Sequence, residues 1–260
     1  VTPSAGALGS LTASVSTDTT GTGLGGVVSW NYSVADTLVE YLAADQIKVE
    51  TFTITLDDGN GGTVDRTIDL TITGTNDAPT ATNLSAPETY IEDTPLNLIN
   101  VVISDVDSAI VTATLTLSDP AVGSLNAATS GAVTSTYNTG TGVWSAVGTI
   151  ANVNTLLAGL TFTPALNFNG NFTIATNVSD GVATITGSKA VTGTPVNDQP
   201  GFTATDPPAV GEDSGLQSLA NWSTFNPGPA DESMQTVLAY TVSDVSNPSL
   251  FSAGPTVATN

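Results

Sequence analysis

Along much of the chain, apolar and polar residues alternate with a period of two. Phe52, Ile54 and Leu56 interleave with Thr51, Thr53 and Thr55, and Ile68, Leu70 and Ile72 with Thr67, Asp69 and Thr71. The same rhythm returns at Val111, Ala113, Leu115 and Leu117, set among Thr112, Thr114 and Thr116, and again at Phe172 and Ile174. Successive side chains of a strand point to opposite faces. Each run therefore predicts a strand with one face in a core and a Thr-rich face outside. Asp58-Gly59, Asn169-Gly170 and Asp180-Gly181 supply turn chemistry between the runs. Helix is expected only in two short stretches, 41–46 and 153–159, and a further strand at 238–242. The pattern predicts an all-β chain of antiparallel β-sandwich modules, immunoglobulin-like or cadherin-like, in an extended array.

A repeat underlies these runs. Thr73-Gly74-Thr75-Asn76-Asp77-Ala78-Pro79 recurs as Thr192-Gly193-Thr194-Pro195-Val196-Asn197-Asp198-Gln199-Pro200, an offset of 197 − 76 = 121 residues between the asparagines. Asp58-Gly59 matches Asp180-Gly181 (180 − 58 = 122), and Glu92-Asp93 matches Glu212-Asp213 (212 − 92 = 120). Asp105 matches Asp231 more loosely (231 − 105 = 126). A domain-sized period means a string of beads rather than a solenoid of short repeats. The boundaries expected are an N-terminally truncated module over 1–79, a complete module over 80–200 and the first half of another over 201–260. Val1 and Asn260 both read as cuts through a larger polypeptide. A half module exposes an apolar face and open strand edges, so 201–260 is expected to fray or to pair with another molecule.

Charge narrows the function. The 260 residues include 3 basic and 24 acidic side chains, a net charge of −21, with no His and no Cys. Such a chain repels nucleic acid and anionic membranes, and it can form neither a disulfide nor a Cys-ligated zinc site. At 40% hydrophobic and 10% charged residues it holds enough apolar material for several cores. Neither a signal peptide nor an 18-residue apolar run is present. The acids are unevenly spread: none lies between Asp119 and Asp180, and most of those in 80–200 sit near module ends or in loops. Clustered like charge destabilises a fold unless a cation neutralises it. Oxygen donors without His or Cys select Ca²⁺. The alternative is local: Asn-Asp pairs as turn formers and Asp-Gly as hairpin chemistry.

Asp57-Asp58-Gly59-Asn60-Gly61-Gly62, followed by a strand and then Gly74-Thr75-Asn76-Asp77-Ala78-Pro79, resembles the end of a VCBS repeat; the likeness covers 9–79 and takes in Val28-Ser29-Trp30-Asn31-Tyr32 and Val34-Ala35-Asp36. Residues 80–200 resemble the cadherin-like repeats of the same giant, RTX-type bacterial surface adhesins. The motifs are Glu92-Asp93-Thr94-Pro95-Leu96, Asp105-Val106-Asp107, Phe162-Thr163-Pro164 and Asn167-Phe168-Asn169-Gly170. The resemblance implies Ca²⁺ at the junctions. Carried over by motif, Asp58, Asn76, Asp77, Asp105 and Asp107 would serve the first junction. Glu92, Asp93, Asp180, Asn197, Asp198, Asp231 and Glu232 would serve the second. The linkers lack the Asp that cadherins place two residues before the Asn-Asp pair, which leaves the number of ions per junction open.

Other signals are weaker. Gly21-Thr22-Gly23-Leu24-Gly25-Gly26 satisfies a dinucleotide-binding pattern, yet the residues that follow read as a strand where the pattern needs a helix. No nucleophile has a base beside it, and paired carboxylates repeated in successive beads do not look like a catalytic site, so no enzyme activity is expected. Trp30, Trp144 and Trp222 are expected in cores or on sheet faces rather than on a sugar-stacking platform. The function expected is a Ca²⁺-stiffened spacer or stalk of a secreted bacterial cell-surface adhesin. Its partners would be neighbouring modules, with other copies of the chain or cell-surface ligands as further candidates, and neither nucleic acid nor membrane insertion. The alternatives are glycan- or protein-binding modules, and the subunit of an extracellular filament or sheath.

Overall fold

The computed structural model describes residues 1–20 and 23–259. It is all-β. Among the described residues of the first 73 the strands are β1 (Thr2–Pro3), β2 (Ser10–Thr17), β3 (Val27–Ser33), β4 (Ile47–Asp57) and β5 (Thr63–Thr73). They form two separate sheets, β1-β4-β5 and β2-β3. The long hairpin of β4 and β5 keeps register from Ile47↔Thr73 to Asp57↔Thr63, as the alternation of Thr and apolar residues dictates. Its tip turns on Gly59 and Gly61, both at positive φ, where a side chain would be strained. Of the Gly-rich stretch 21–26, Gly21 and Thr22 lie outside the described residues, and the chain after Gly26 enters β3, not a helix. The helix expected at 41–46 does not form. Asp45 sits at φ 61°, and the backbone there is tied to the end of β5 through Asp45 N–H to Gly74 O and Gly74 N–H to Gln46 O. A single 3₁₀ turn, Asp36–Leu38, precedes it.

Little of this N-terminal unit is buried. Leu11, Leu42 and Phe52 are, with Phe52 edge-on to Tyr32 at 5.9 Å between ring centroids. The carboxylate of Glu50 is buried beside them and accepts hydrogen bonds from the Leu8 amide (2.6 Å), the Gly9 amide (3.1 Å) and the Tyr32 hydroxyl (3.0 Å). Burial alone would raise its pKa, but these donors outweigh it and hold the carboxyl below its ordinary value of 4.5. A depressed folded-state pKa gives stability that is present above the ordinary Glu range and is lost as pH falls through the folded-state value. The loop over residues 4–9 should therefore loosen on acidification. Glu50→Gln should flatten that response, read as Tyr and Trp fluorescence against pH; an identical acid profile for the two proteins would count against the assignment.

The central unit builds a closed core. Its strands are β6 (Thr80–Thr82), β7 (Glu88–Ile91), β8 (Leu96–Asn97), β9 (Val102–Ser104), β10 (Ile110–Leu117), β11 (Gly123–Leu125), β12 (Thr129–Ser130) and β13 (Val133–Thr134), then β14 (Thr136–Asn138), β15 (Val143–Thr149), β16 (Thr161–Pro164), β17 (Phe172–Ser179) and β18 (Thr184–Thr194). One nine-residue helix, α1 (Ile150–Ala158), follows β15 and buries Val153, Leu156 and Leu157. The main sheet runs β14-β15-β10-β17-β18-β7, antiparallel except where β7 lies parallel to β18. The smaller sheet β11-β16-β8 and the pair β6-β9 contribute Leu125, Phe162 and Ile103 to the same core. In β10 the inward residues Val111, Ala113, Leu115 and Leu117 are all buried while the intervening threonines are half-exposed, the strict alternation expected of a one-sided strand. Trp144 is fully buried, and its indole N–H reaches Asn126 O at 3.1 Å. Tyr90 packs edge-on to Phe162 and parallel to Phe168.

Among the described residues beyond 200 the only ladder is β19 (Gly201–Ala204) with β20 (Ser223–Asn226). Residues 238–242 keep the alternating pattern but form no strand, contrary to expectation. In the central unit β10 is held on both sides, by β15 and β17, and among the described residues nothing takes those positions beside 238–242. Leu238 consequently stands 95% exposed.

Candidate functional site: the two junctions

At the first junction the linker folds back onto the central unit. Asn76 Nδ2 donates to Asp77 O and to Asp180 Oδ2, both at 2.9 Å. The Asp77 amide donates to Asp107 Oδ2 at 3.1 Å. Asp105 Oδ1 caps its own loop by accepting from the amides of Asp107 and Ser108. Asp105 Oδ2 and Asp107 Oδ1 remain buried with no hydrogen-bond partner. Burial, and then the neighbouring Asp107 carboxylate, push the Asp105 carboxyl above its ordinary value against the pull of those amides. Asp180 goes the other way. Burial opposes it, but Asn76 and the amides of Val182 and Ala183 hold it low.

The second junction repeats the plan. Asn197 Nδ2 donates to Asp198 O at 2.9 Å, and the Asp198 amide donates to Glu232 Oε1 at 3.3 Å. Glu232 is buried, and its Oε2, like Asp198 Oδ2, has no partner. Burial raises the pKa of Asp198, and the charges of Glu92, Asp93 and Asp231 add to it. Burial also raises Glu232, reinforced by Asp231 and Asp198. Glu92 is tied in by Val196 N–H at 2.8 Å and Asn169 Nδ2 at 3.2 Å, and Asp93 by Asn167 N–H at 2.8 Å. Asn197 Oδ1 accepts from Gln235 Nε2.

Two sequence assignments are corrected. Asp180 belongs to the first junction, not the second: β18 starts beside it and runs 11 residues toward Asn197. Asp58 belongs to neither. It sits at the tip of the β4–β5 hairpin, where it accepts from the amides of Asn60 and Gly62, while the linker begins at the far end of that 11-residue ladder, roughly 35 Å away at strand spacing. The acid of a hairpin thus faces the linker that precedes its own unit. The pairing of Asp105 with Asp231 also shifts: by their bonds to the linker amides, Asp107 corresponds to Glu232 (232 − 107 = 125).

Among the described residues no three His, Cys, Asp or Glu side chains form a ready-made ligand cluster. What the junctions share is a pair of buried, unpartnered carboxylate oxygens. The Asn76 amide nitrogen is turned to Asp77 and Asp180, so its oxygen is the donor left for a cation. Hard oxygen donors of this kind, carboxylate and amide, fit Ca²⁺.

No known family's sequence profile matches the chain, and no curated protein matches it. Several solved structures are similar in part. A chimeric titin Z1Z2 tandem is 16% identical, covering 55% of this chain and 64% of that one, with a TM-score of 0.27. Domains 4 and 5 of the S-layer protein SbsC are 11% identical, covering 56% and 65%, at 0.28. Drosophila N-cadherin EC1-4 is 16% identical, covering 62% of this chain and 36% of that chain, at 0.28. The chain therefore spans less than two thirds of each. At TM-scores of this size, the fold class rests on the chain's own sheets. No helix among the described residues is long and apolar enough to cross a membrane.

Proposed function

We propose that this chain is a stretch of a bacterial cell-surface protein that works as a spacer, with Ca²⁺ bound at each junction to fix one module against the next. The observation carrying this reading is the recurrence of the same unfinished arrangement at both linkers. An Asn-Asp pair donates to an acid of the following unit, and two buried carboxylate oxygens are left without partners. Two anionic groups held together without a counter-charge cost free energy, and a divalent cation removes that cost. Asn76, Asp77, Asp105, Asp107 and Asp180 would hold the first ion, and Glu92, Asp93, Asn197, Asp198, Asp231 and Glu232 the second. The ion supplies charge neutralisation and a rigid link. Repetition favours a mechanical role, since similar beads generate length rather than one unique pocket.

The test is thermal unfolding in EDTA and in rising CaCl₂, with MgCl₂ as control. At about 100 times its dissociation constant, one site adds roughly 2.7 kcal/mol, a rise of several degrees. Small-angle scattering should show a stiffer particle in Ca²⁺. Superimposable melting curves and scattering profiles would overturn the metal reading.

A further inference from the structure

The two linkers make the same backbone contact but hold their asparagine side chains differently. In both, the carboxamide nitrogen donates to the carbonyl of the next residue, Asn76 Nδ2 to Asp77 O and Asn197 Nδ2 to Asp198 O, each at 2.9 Å. A carbonyl can only accept, so this bond fixes which end of each amide is nitrogen and which is oxygen. The other hydrogen of Asn76 Nδ2 goes to Asp180 Oδ2, and no described residue donates to the Asn76 oxygen. At Asn197 it is the oxygen that is taken. Gln235 Nε2 donates to Asn197 Oδ1 at 2.9 Å.

Gln235 reaches the linker on the turn that also carries the acid. Glu232 ends the 3₁₀ turn Ala230–Glu232, and the Gln235 amide closes onto Glu232 O at 2.8 Å. A bond of this i→i+3 kind brings its two end residues close together, so one turn delivers both the carboxylate and the amide. The offset that matches Asp107 to Glu232 matches Ile110 to Gln235 (235 − 110 = 125). Ile110 opens β10 and its side chain has no donor. The first junction thus has an apolar side chain where the second has an amide.

Asn197 Oδ1 belongs to an unfinished site. Glu232 is only 4% exposed, and its Oε2 and the buried Asp198 Oδ2 have no partner. Glu92, Asp93 and Asp231 are close enough for their charges to act on Asp198. An amide oxygen is an ordinary Ca²⁺ ligand. It has two lone pairs, but a cation on one stands against the electropositive N–H on the other, beside a side chain that fills space. The bond and the ion therefore compete.

We infer that Gln235 is an intramolecular competitor of the cation at the second junction. It holds Asn197 Oδ1 in the metal-free chain and must release it before that oxygen can join the ligand set. The inference rests on the Ca²⁺ reading above and adds to it a residue that sets affinity without being a ligand. Apparent affinity falls by the fraction of molecules in which Gln235 is already released. A hydrogen bond between neutral groups keeps that fraction between about a third and a tenth, so the second junction binds roughly threefold to tenfold more weakly than its own oxygens allow. No such bond has to break at the first. The second linker therefore stays loose over a range of Ca²⁺ in which it would otherwise be fixed.

A residue-resolved titration tests this. The Asp77 amide bonds Asp107 at the first junction and the Asp198 amide bonds Glu232 at the second. In the isotope-labelled full chain, stripped with EDTA and titrated with CaCl₂, their NMR signals report the two junctions separately. Gln235→Ile, which copies the first junction, and Gln235→Ala should each lower the midpoint of the Asp198 signal by about threefold to tenfold. The Asp77 midpoint should stay where it is. Gln235 is exposed, so both variants should keep the far-UV dichroism of the parent. In an Asn197→Ala background there is no oxygen to compete for, and Gln235→Ile should then move the Asp198 midpoint by less than about twofold. An Asp198 midpoint that is unchanged or raised in the two Gln235 variants overturns the inference and leaves the Ca²⁺ reading standing. So does a full shift in the Asn197→Ala background, because Gln235 would then act on some other group. Asp77 and Asp198 signals that ignore Ca²⁺ altogether overturn the Ca²⁺ reading itself, and the inference with it.

Discussion

Glu88→Ala should cost the central unit about 3–5 kcal/mol, enough to take most of the stability of a small domain. Lys189 is fully buried on β18, and its ammonium has three acceptors: Glu88 Oε1 at 2.9 Å, Ile99 O at 3.1 Å and Ala86 O at 3.5 Å. Glu88 Oε1 also accepts from the Ile99 amide at 2.9 Å. Removing the carboxylate leaves a cation in the interior with two neutral carbonyls, and an unpaired buried charge is far more expensive than the pair is valuable. The reverse change, Lys189→Met, strands Glu88 and should cost a comparable amount. The double variant Glu88→Leu/Lys189→Met should recover most of the loss, because two apolar side chains of similar volume need no counter-charge. Urea unfolding of the four proteins checks this. Additive losses in the double variant would show that the two groups act separately.

That ion pair shows where sequence reading stopped short. Lys189 shares a face with Ile185, Gly187 and Val191, so the period of two already points it inward. Its partner could not be read, because Glu88 and Lys189 lie 101 residues apart along the chain and the parallel pairing of β7 with β18 leaves no local mark. The alternating runs themselves were legible: β4, β5, β10 and β17 fall where Thr and apolar residues interleave, since side-chain period is a local property. So was the likeness of the two linkers, where Asn76-Asp77 and Asn197-Asp198 make the same backbone contact. The grouping of Asp58 and Asp180 was not legible from spacing. A hairpin acid lies close in sequence to the linker that follows it, but an extended strand of 11 residues carries that linker to the other end of the sheet. Residues 238–242 carry strand chemistry without being a strand, because pairing needs a neighbour that the pattern does not encode.

At the junctions a neutralising substitution should change sign with the solution. Asp107 holds the Asp77 amide through Oδ2, while its Oδ1 is buried and unpartnered close to Asp105, whose Oδ2 is in the same condition. In EDTA, Asp107→Asn keeps an oxygen for Asp77, removes one of two neighbouring charges and places an amide N–H beside the Asp105 carboxylate. Satisfying a buried acceptor is worth about 1–2 kcal/mol, so the metal-free variant should melt above the parent. In saturating Ca²⁺ the same change removes a ligand charge, and the stabilisation that the ion gives the parent, roughly 2.7 kcal/mol at 100 times the dissociation constant, should be largely lost. The two melting temperatures should therefore cross as CaCl₂ rises. Glu232→Gln should cross in the same way at the second junction, where Glu232 holds the Asp198 amide and leaves Oε2 unpartnered. Because the junctions share no residue, the two crossings should be independent, and the double variant should show the sum of both shifts. A variant that is less stable than the parent in EDTA as well as in Ca²⁺ would mean that these carboxylates serve the loop rather than a cation.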